Sequence, residues 1–460
     1  MTKQIRTILF YGCLAIFIII APLVVFYAQG YRIDFENRRI TKTGAFYFRI
    51  SPKNSDIFLD GKLVKKNQSF FLNSILIENL LPGNYTVEIK KQDYSLWKKT
   101  LEIKAMEATE VKNILLFPQN SHSELIAKNV NDFFPAPDGK KIVLQKNDSQ
   151  GYYLTIFEPE SNLETIAVKE KDILKTGNSF LNLSWLADSQ RFILETAISE
   201  QRKFFLVETT KIPIKSTSLN ISPDSERIES DQKNPDQLFV LEADKLSLNN
   251  LTAKTSREIA KSVVAFAQFN DSVYLLQNNG FVSIVKNYDI TNATRLNEAP
   301  LIIEKETYYN LIPTKAGVFL EKGEALLFFD KGKAIFTGIA TEINDFQISP
   351  DNQKIAYFNG GEISIYYLEE RREQPQKKSG EKTFLIKLPG NINQLFWLNN
   401  DYLITATEDG LMALEIDERD QPNSVILARL KNPKLFFDKN TEKTSVLTEG
   451  NFLTYPTILP

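Results

Sequence analysis

Among 460 residues the chain carries one histidine, His122, and one cysteine, Cys13, so the side chains that do most enzyme chemistry are nearly absent. Imidazole is the usual general base near neutral pH and the commonest metal ligand. A single copy excludes a His-x-Glu-x-x-His zinc site, a Cys/His zinc cluster and a two-histidine iron site. A Ser-His-Asp arrangement would have to use His122, which lies in a polar linker without an apparent partner and is expected at the surface. No Gly-x-Gly occurs, no Gly-Lys pair is followed by Ser or Thr, and there is no Gly-x-Ser-x-Gly. Dinucleotide fingerprints, phosphate-cradling loops and nucleophile elbows are therefore missing. Ser-x-x-Lys occurs at Ser95 to Lys98 and at Ser379 to Lys382, as expected by chance in a lysine-rich chain. Paired carboxylates for glycoside hydrolysis are selected by spatial separation, and nothing in the sequence picks a pair from 57 acidic residues. No catalytic, cofactor-binding or metal residue is assigned, no cofactor is implied, and the ligand-binding residues stay unknown.

The charges exclude another class of partner. The 55 basic and 57 acidic side chains are interspersed and leave a net charge of -2, whereas nucleic-acid binding needs a concentrated basic stripe. The densest basic stretch, Arg371 to Lys382, also holds Glu373 and Glu381 and reads as a solvated surface loop. Trp97, Trp185 and Trp397 have the chemistry to stack on a sugar, but their places in the patterns below make them structural.

The elements that would position any site begin with Ile8 to Ala28, ILFYGCLAIFIIIAPLVVFYA, which has no charge. At about 1.5 Å per residue it spans a hydrocarbon core of about 30 Å. Pro22 is tolerated in such a span, and Tyr11 and Tyr27 suit its two interfaces. Cys13 lies inside this run, which continues too far for a lipoprotein signal, so the remaining chain has no thiol. Lys3 and Arg6 also resemble the positive start of a signal peptide, but the run is long and Ala28-x-Gly30 is a weak cleavage site, which favours an uncleaved anchor. Arg32, Arg38, Arg39 and Lys42 beyond the helix mildly favour a body on the inner side; long domains, however, translocate with little regard to such charges. The expectation is a single-pass protein of the cell membrane with an extracytoplasmic body.

Residues 44–118 alternate apolar and polar positions in short runs, as half-buried antiparallel strands do. The runs are Ala45 to Ile50, Asp56 to Leu59, Tyr85 to Lys90 and Lys99 to Ile103, with turn signals at Asp60-Gly61 and Pro82-Gly83. Ser51-Pro52, Ile57-Phe58-Leu59-Asp60-Gly61-Lys62, Leu80-Leu81-Pro82-Gly83-Asn84-Tyr85-Thr86-Val87, Tyr94 and Trp97 stand in the order of a PEGA domain. This segment resembles that family, a small β-sandwich module of bacterial surface proteins, although Pro52-Lys53-Asn54-Ser55 replaces the tetrapeptide that names it. The resemblance implies a spacer or binding module without catalytic residues.

From about Ser121 to Pro460 one phrase recurs: an apolar residue, a turn with Pro-Asp, Asp-Ser or Asn-Asp, then a β-rich run. Copies lie at Phe134 to Leu144, Ser184 to Leu194, Ile221 to Ile228 and Ile348 to Tyr357. Weaker ones lie at Phe269 to Leu275, Pro313 to Leu320, Trp397 to Ile404 and Phe437 to Asn440. Their spacing of roughly 37 to 51 residues matches four-stranded propeller blades. Asn279-Gly280, Asn359-Gly360 and Asp409-Gly410 mark further hairpins. A meander of this size hides its apolar faces only by stacking on its neighbours, and Glu124 to Val130 supplies a strand to close the ring. The Ser-Pro-Asp-x-x-x-Ile copies resemble TolB-like and WD40-like propellers of bacterial envelopes. Asp138, Asp224 and Asp351 are expected to cap turns through their own carboxylates.

The expected fold class is all-β: tail 1–7, transmembrane helix 8–28, juxtamembrane linker 29–43, PEGA-like β-sandwich 44–118 and a seven- or eight-bladed β-propeller over 119–460. The expected function is non-enzymatic: a membrane-anchored scaffold presenting the propeller to a protein or to cell-wall glycan. Two alternatives stay open, an envelope hydrolase or lyase using carboxylates in the propeller channel, and a membrane-tethered assembly subunit. Asp, Glu and Arg converging on an open channel would favour the enzyme, and an exposed apolar patch a protein partner.

Overall fold

A computed structural model describes residues 3–34, 38–64, 74–119, 122–149, 151–173, 178–211, 214–437 and 443–455. The apolar run forms helix α1 (Lys3–Ala28), with Pro22 inside it. Its stretch Ile8–Ala28 is long and apolar enough to cross a membrane, and its C-terminal end meets the segment that follows through Phe26 and Tyr27. A short hairpin follows at once, β1 (Tyr31–Asp34) paired with β2 (Arg39–Lys42).

Next come two packed sheets. One contains β3 (Gly44–Ser51), flanked by β6 (Ser74–Leu80) and β9 (Ala108–Leu115); the other is ordered β5 (Lys62–Leu63), β4 (Asp56–Leu59), β7 (Gly83–Lys90), β8 (Trp97–Ile103). Strand alternation turns Phe46, Phe48 and Ile50 of one sheet toward Ile57, Val87, Trp97 and Leu101 of the other, and these form one core. The pairing differs from the antiparallel expectation at one place, because β3 and β9 run parallel. Their connection passes through the opposite sheet, a crossover that parallel neighbours require. At Asp60-Gly61 both residues have positive φ, 47° and 75°, the signature of a type I′ hairpin turn. In the segment Pro52 to Ser55, the buried Ser55 hydroxyl donates to the Pro52 carbonyl at 2.8 Å, so the turn is closed despite its divergent residues.

The remaining described residues form eight four-stranded sheets in a ring. Their first strands are Val130–Pro135, Asn178–Trp185, Arg227–Ser230, Val263–Phe269, Tyr309–Pro313, Asp345–Ile348, Ile392–Trp397 and Lys434–Phe437, which number the blades 1 to 8. First strands of neighbouring blades pack together, which places them around the central channel. An apolar core fills each gap between blades; Phe192 and Leu194 of blade 2 meet Val143 and Leu154 of blade 1, for example. Second strands are therefore buried on both faces, as along Tyr402–Thr407. The ring closes through β10 (Glu124–Lys128), which pairs with Asn451–Tyr455 and supplies the outer strand of blade 8. This is a β-propeller with eight blades.

The Ile221 phrase does not occupy the place expected of it. In blades 1, 2, 6 and 7 the recurring turn joins the first strand to the second, but Ser222-Pro223-Asp224 precedes the first strand of blade 3. The equivalent turn there is Asp231 to Asp236, where the buried Asp231 carboxylate accepts from Lys233 N–H at 3.0 Å and from the Tyr288 hydroxyl at 2.8 Å. Residues 438–440 of the last copy lie outside the described residues.

Candidate binding surface

Polar side chains from the innermost strands meet around the channel. Arg227 of blade 3 donates to Glu229 at 2.6 Å and, skipping blade 4, to the Asn310 side chain of blade 5 at 3.1 Å. Asn310 in turn donates to Glu321 at 2.8 Å. Gln268 of blade 4 bonds the Ser230 carbonyl at 2.9 Å, Lys434 of blade 8 pairs with Asp132 of blade 1, and Leu435 N–H donates to Gln394 at 2.7 Å. Asp, Glu and Arg do converge on the channel, and these groups bond to one another.

Asp345, at the start of the blade 6 inner strand, lines two spaces. A cavity of about 400 Å³ lies between it, Asn310, Glu321 and Gln347. An open cleft of about 720 Å³ brings it together with Asn344, Asn359, Gly360, Asn391 and Asn393. Burial raises the Asp345 carboxyl above the usual carboxylate range, opposed by hydrogen bonds from Phe346 N–H and the Gln347 side chain. Gly360 takes φ 55° in the turn between the second and third strands, and its N–H donates to the Asn344 side chain at 2.7 Å. Four asparagines therefore rim one cleft, and each primary amide offers both donors and an acceptor. Such a lining suits a main chain or sugar hydroxyls. No group of three or more His, Cys, Asp or Glu able to hold a metal occurs among the described residues.

The cleft opens on the propeller face opposite the β-sandwich. The sandwich docks against the turn after the first strand of blade 7 and the loops after the third strands of blades 6 and 7. Asn113 donates to Asp401 at 2.7 Å, Leu115 N–H to the Tyr402 hydroxyl at 3.1 Å, and Arg419 to the Glu110 carbonyl at 2.9 Å. Phe117 packs edge-on against Tyr402 with ring centroids 5.8 Å apart.

At the centre of this junction is a buried ionic cluster. Lys99, fully buried, pairs with Glu415 at 3.2 Å and Asp417 at 3.6 Å and donates to the Asp417 carbonyl. Trp97 donates its indole N–H to Glu415 at 3.2 Å. Burial pushes the Glu415 carboxyl up to about 7 against the attraction of Lys99. Burial would also raise Asp417, but Arg419 and Lys99 hold it below its ordinary value. No reading of the sequence singled out this cluster, yet a signal was present. In WKKTLEI, alternation puts Lys99 in one row with Trp97, Leu101 and Ile103, a buried row in which an unpaired lysine is not tolerated.

The charged loop Arg371 to Lys382 is exposed over much of its length, as expected, but it also contacts the sandwich and the neighbouring blade. Gln374 accepts from Glu110 N–H at 3.0 Å, Lys112 reaches Glu373 at 3.2 Å, Arg371 pairs with Asp401 at 3.1 Å, and Lys377 is nearly buried between Glu381 and Glu418. Its partners come from distant segments, which local charge patterning does not reveal.

The remaining candidates have structural places. His122 is exposed. Asp138 and Asp351 accept from the N–H groups of Lys140 and Gln353 at 3.0 and 3.1 Å and so cap their turns; at Asp224 the Ser222 hydroxyl instead accepts from the aspartate's own N–H at 3.3 Å. Ser95 accepts from Phe117 N–H, and Ser379 donates to the Leu368 carbonyl. Trp185 and Trp397 each donate to a main-chain carbonyl of the preceding blade, Phe134 at 3.0 Å and Gln347 at 2.9 Å, which confirms their equivalence.

No family model and no curated protein matches the chain. Among solved structures it is similar to the Dos1 propeller, at 12% identity and TM-score 0.49 over 73% of this chain and 93% of that one. YCF48 from Cyanidioschyzon merolae gives 10% identity and TM-score 0.41 over 73% and 99%. The β-propeller domain of Myceliophteria thermophila Cps50 (Swd1) gives 10% and 0.36 over 74% and 100%. At these scores the fold rests on the strand order and ring closure themselves.

Proposed function

We propose that the chain is a membrane-anchored binding protein of the cell envelope, in which a PEGA-like sandwich holds the propeller with its asparagine-rimmed cleft turned away from the bilayer to receive a protein partner. One observation carries the reading. The sandwich at the end of the anchor and the cleft occupy opposite faces of the propeller, so an anchored ring offers the cleft to the surroundings. Propellers host many activities, and the choice of binding over catalysis rests on this site. Arg227, Glu229, Asn310 and Glu321 satisfy one another, and the cleft is lined by amides, which recognise hydrogen-bonding surfaces without proton transfer.

Asp345 favours a second reading, a hydrolase or lyase, because its raised carboxyl opens on both spaces. The two are separated by placing a photo-crosslinking residue at Asn391 in the full-length protein in cells, with Lys203 on the propeller as control. A binding protein gives a discrete adduct at Asn391 alone, which survives Asp345→Asn and is lost on Asn359→Ala with Asn393→Ala. Absence of a site-specific adduct, or one abolished by Asp345→Asn together with turnover of the captured molecule, contradicts it.

A further inference from the structure

Among the described residues the hairpin β1–β2 is a two-stranded sheet joined to no other, and such a pair is marginal in water without an apolar partner. Its register divides its side chains between two faces. Arg32 opposite Thr41 and Asp34 opposite Arg39 lie on one, and Tyr31, Lys42, Ile33 and Ile40 form two cross-strand pairs on the other. Arg32 faces the protein: its guanidinium lies 3.5 Å from the centre of the Tyr27 ring, donates to the Tyr27 carbonyl at 2.9 Å and reaches the Asn79 side chain of the sandwich at 2.6 Å. It thus fastens the end of α1 to both hairpin and sandwich. The other face is open, with Ile33 57% and Ile40 69% exposed. It continues the apolar surface of the helix, since Phe26 packs edge-on against Tyr31 at 5.4 Å.

Resting on the anchored reading, we infer that this hairpin is an interfacial element that lies on an anionic lipid surface, with Ile33 and Ile40 at the acyl boundary and Arg38 and Lys42 among the headgroups. The helix itself sets the depth. Its 21 apolar residues fill a hydrocarbon core of about 30 Å, so a hairpin beginning three residues beyond its end stands in the headgroup zone. The charge agrees. From Tyr31 to Lys42 there are four basic residues, Arg32, Arg38, Arg39 and Lys42, against the acidic Asp34 and Glu36, and basic residues next to a span are attracted to anionic lipid. The Lys42 ammonium lies 5.2 Å from the Tyr31 ring centre, so its stem follows apolar surface while its charge stays at the edge.

The test uses the full chain in lipid nanodiscs, with Cys13→Ser and a single fluorophore on Ile40→Cys, Leu125→Cys or Ile18→Cys. Lipids carry a nitroxide near the headgroup or near the bilayer centre. The Ile40 probe should be quenched severalfold more by the shallow nitroxide than the Leu125 probe. Its quenching should rise when phosphatidylglycerol is added, and Arg38→Glu with Lys42→Glu should abolish that rise. If the Ile40 probe is quenched by aqueous iodide as fully as the Leu125 probe, or reached by neither quencher because protein covers it, the inference is overturned. The Ile18 probe reports the anchor separately: quenching by the deep nitroxide keeps the anchored reading even where the hairpin fails, and its absence removes both.

Discussion

Lys99 shows how one side chain can fix the relation of two folded units. An ammonium buried between Glu415 and Asp417 has left water, and removing it strands two carboxylates. Lys99→Met should therefore cost about 3–5 kcal/mol, the usual penalty for breaking a buried pair. Adding Glu415→Gln should recover part of that loss, because the stranded charge is removed; thermal unfolding of the single and double variants measures both. The same cluster sets a pH dependence. Burial pushes the Glu415 carboxyl up from its ordinary value near 4.5 to about 7 in the folded chain, so between these values the folded form keeps a proton that the unfolded form has released. That share of stability is fully present below about pH 4.5 and is lost as pH rises through 7. Asp417 acts in the opposite sense, its lowered value making its share vanish as pH falls through the acid range. Glu415→Gln should flatten the fall in unfolding temperature between pH 5 and 7, and a profile parallel to the parent chain would show that Glu415 does not titrate in that window.

Strands, turns and the ring closure were legible in the sequence, because each is written in local patterns. Alternation marked the sandwich strands, Asp60-Gly61 marked a turn that needs two positive φ values, and Glu124 to Val130 stood out as a strand without a blade. The Ser222-Pro223-Asp224 phrase misled because the same turn chemistry serves a connection between blades as well as within one. Blade contacts were not legible at all; the Trp185 and Trp397 indoles reach carbonyls some 50 residues earlier. The cleft was equally hidden, since Asn344, Asn359 and Asn391 are ordinary loop residues until blades 6 and 7 bring them together. Glycine at a tight approach offers a direct check. Gly280 has φ 78°, and a Cβ there would stand 2.0 Å from the Leu301 carbonyl oxygen. Gly280→Ala should destabilise the chain by more than the roughly 1 kcal/mol that helix-interior Gly/Ala differences reach, whereas Gly61→Ala, with open space around its Cβ, should cost less. Denaturant midpoints of the two variants order them.

At the scale of the molecule, three parts act as a series. Helix α1 is long and apolar enough to cross a membrane, Arg32 ties helix, hairpin and sandwich, and the Lys99 cluster with the 371–382 loop ties sandwich to propeller. Each link is a set of polar contacts between segments far apart in sequence, so composition announced the parts but not their arrangement. On the anchored reading proposed above, the partner of the cleft depends on which side of the membrane the propeller occupies. Protease treatment of intact cells decides this most directly. The account predicts that the propeller is cut on intact cells while a fragment bearing the helix stays in the membrane fraction. A propeller that survives on intact cells and is digested only after lysis would contradict it.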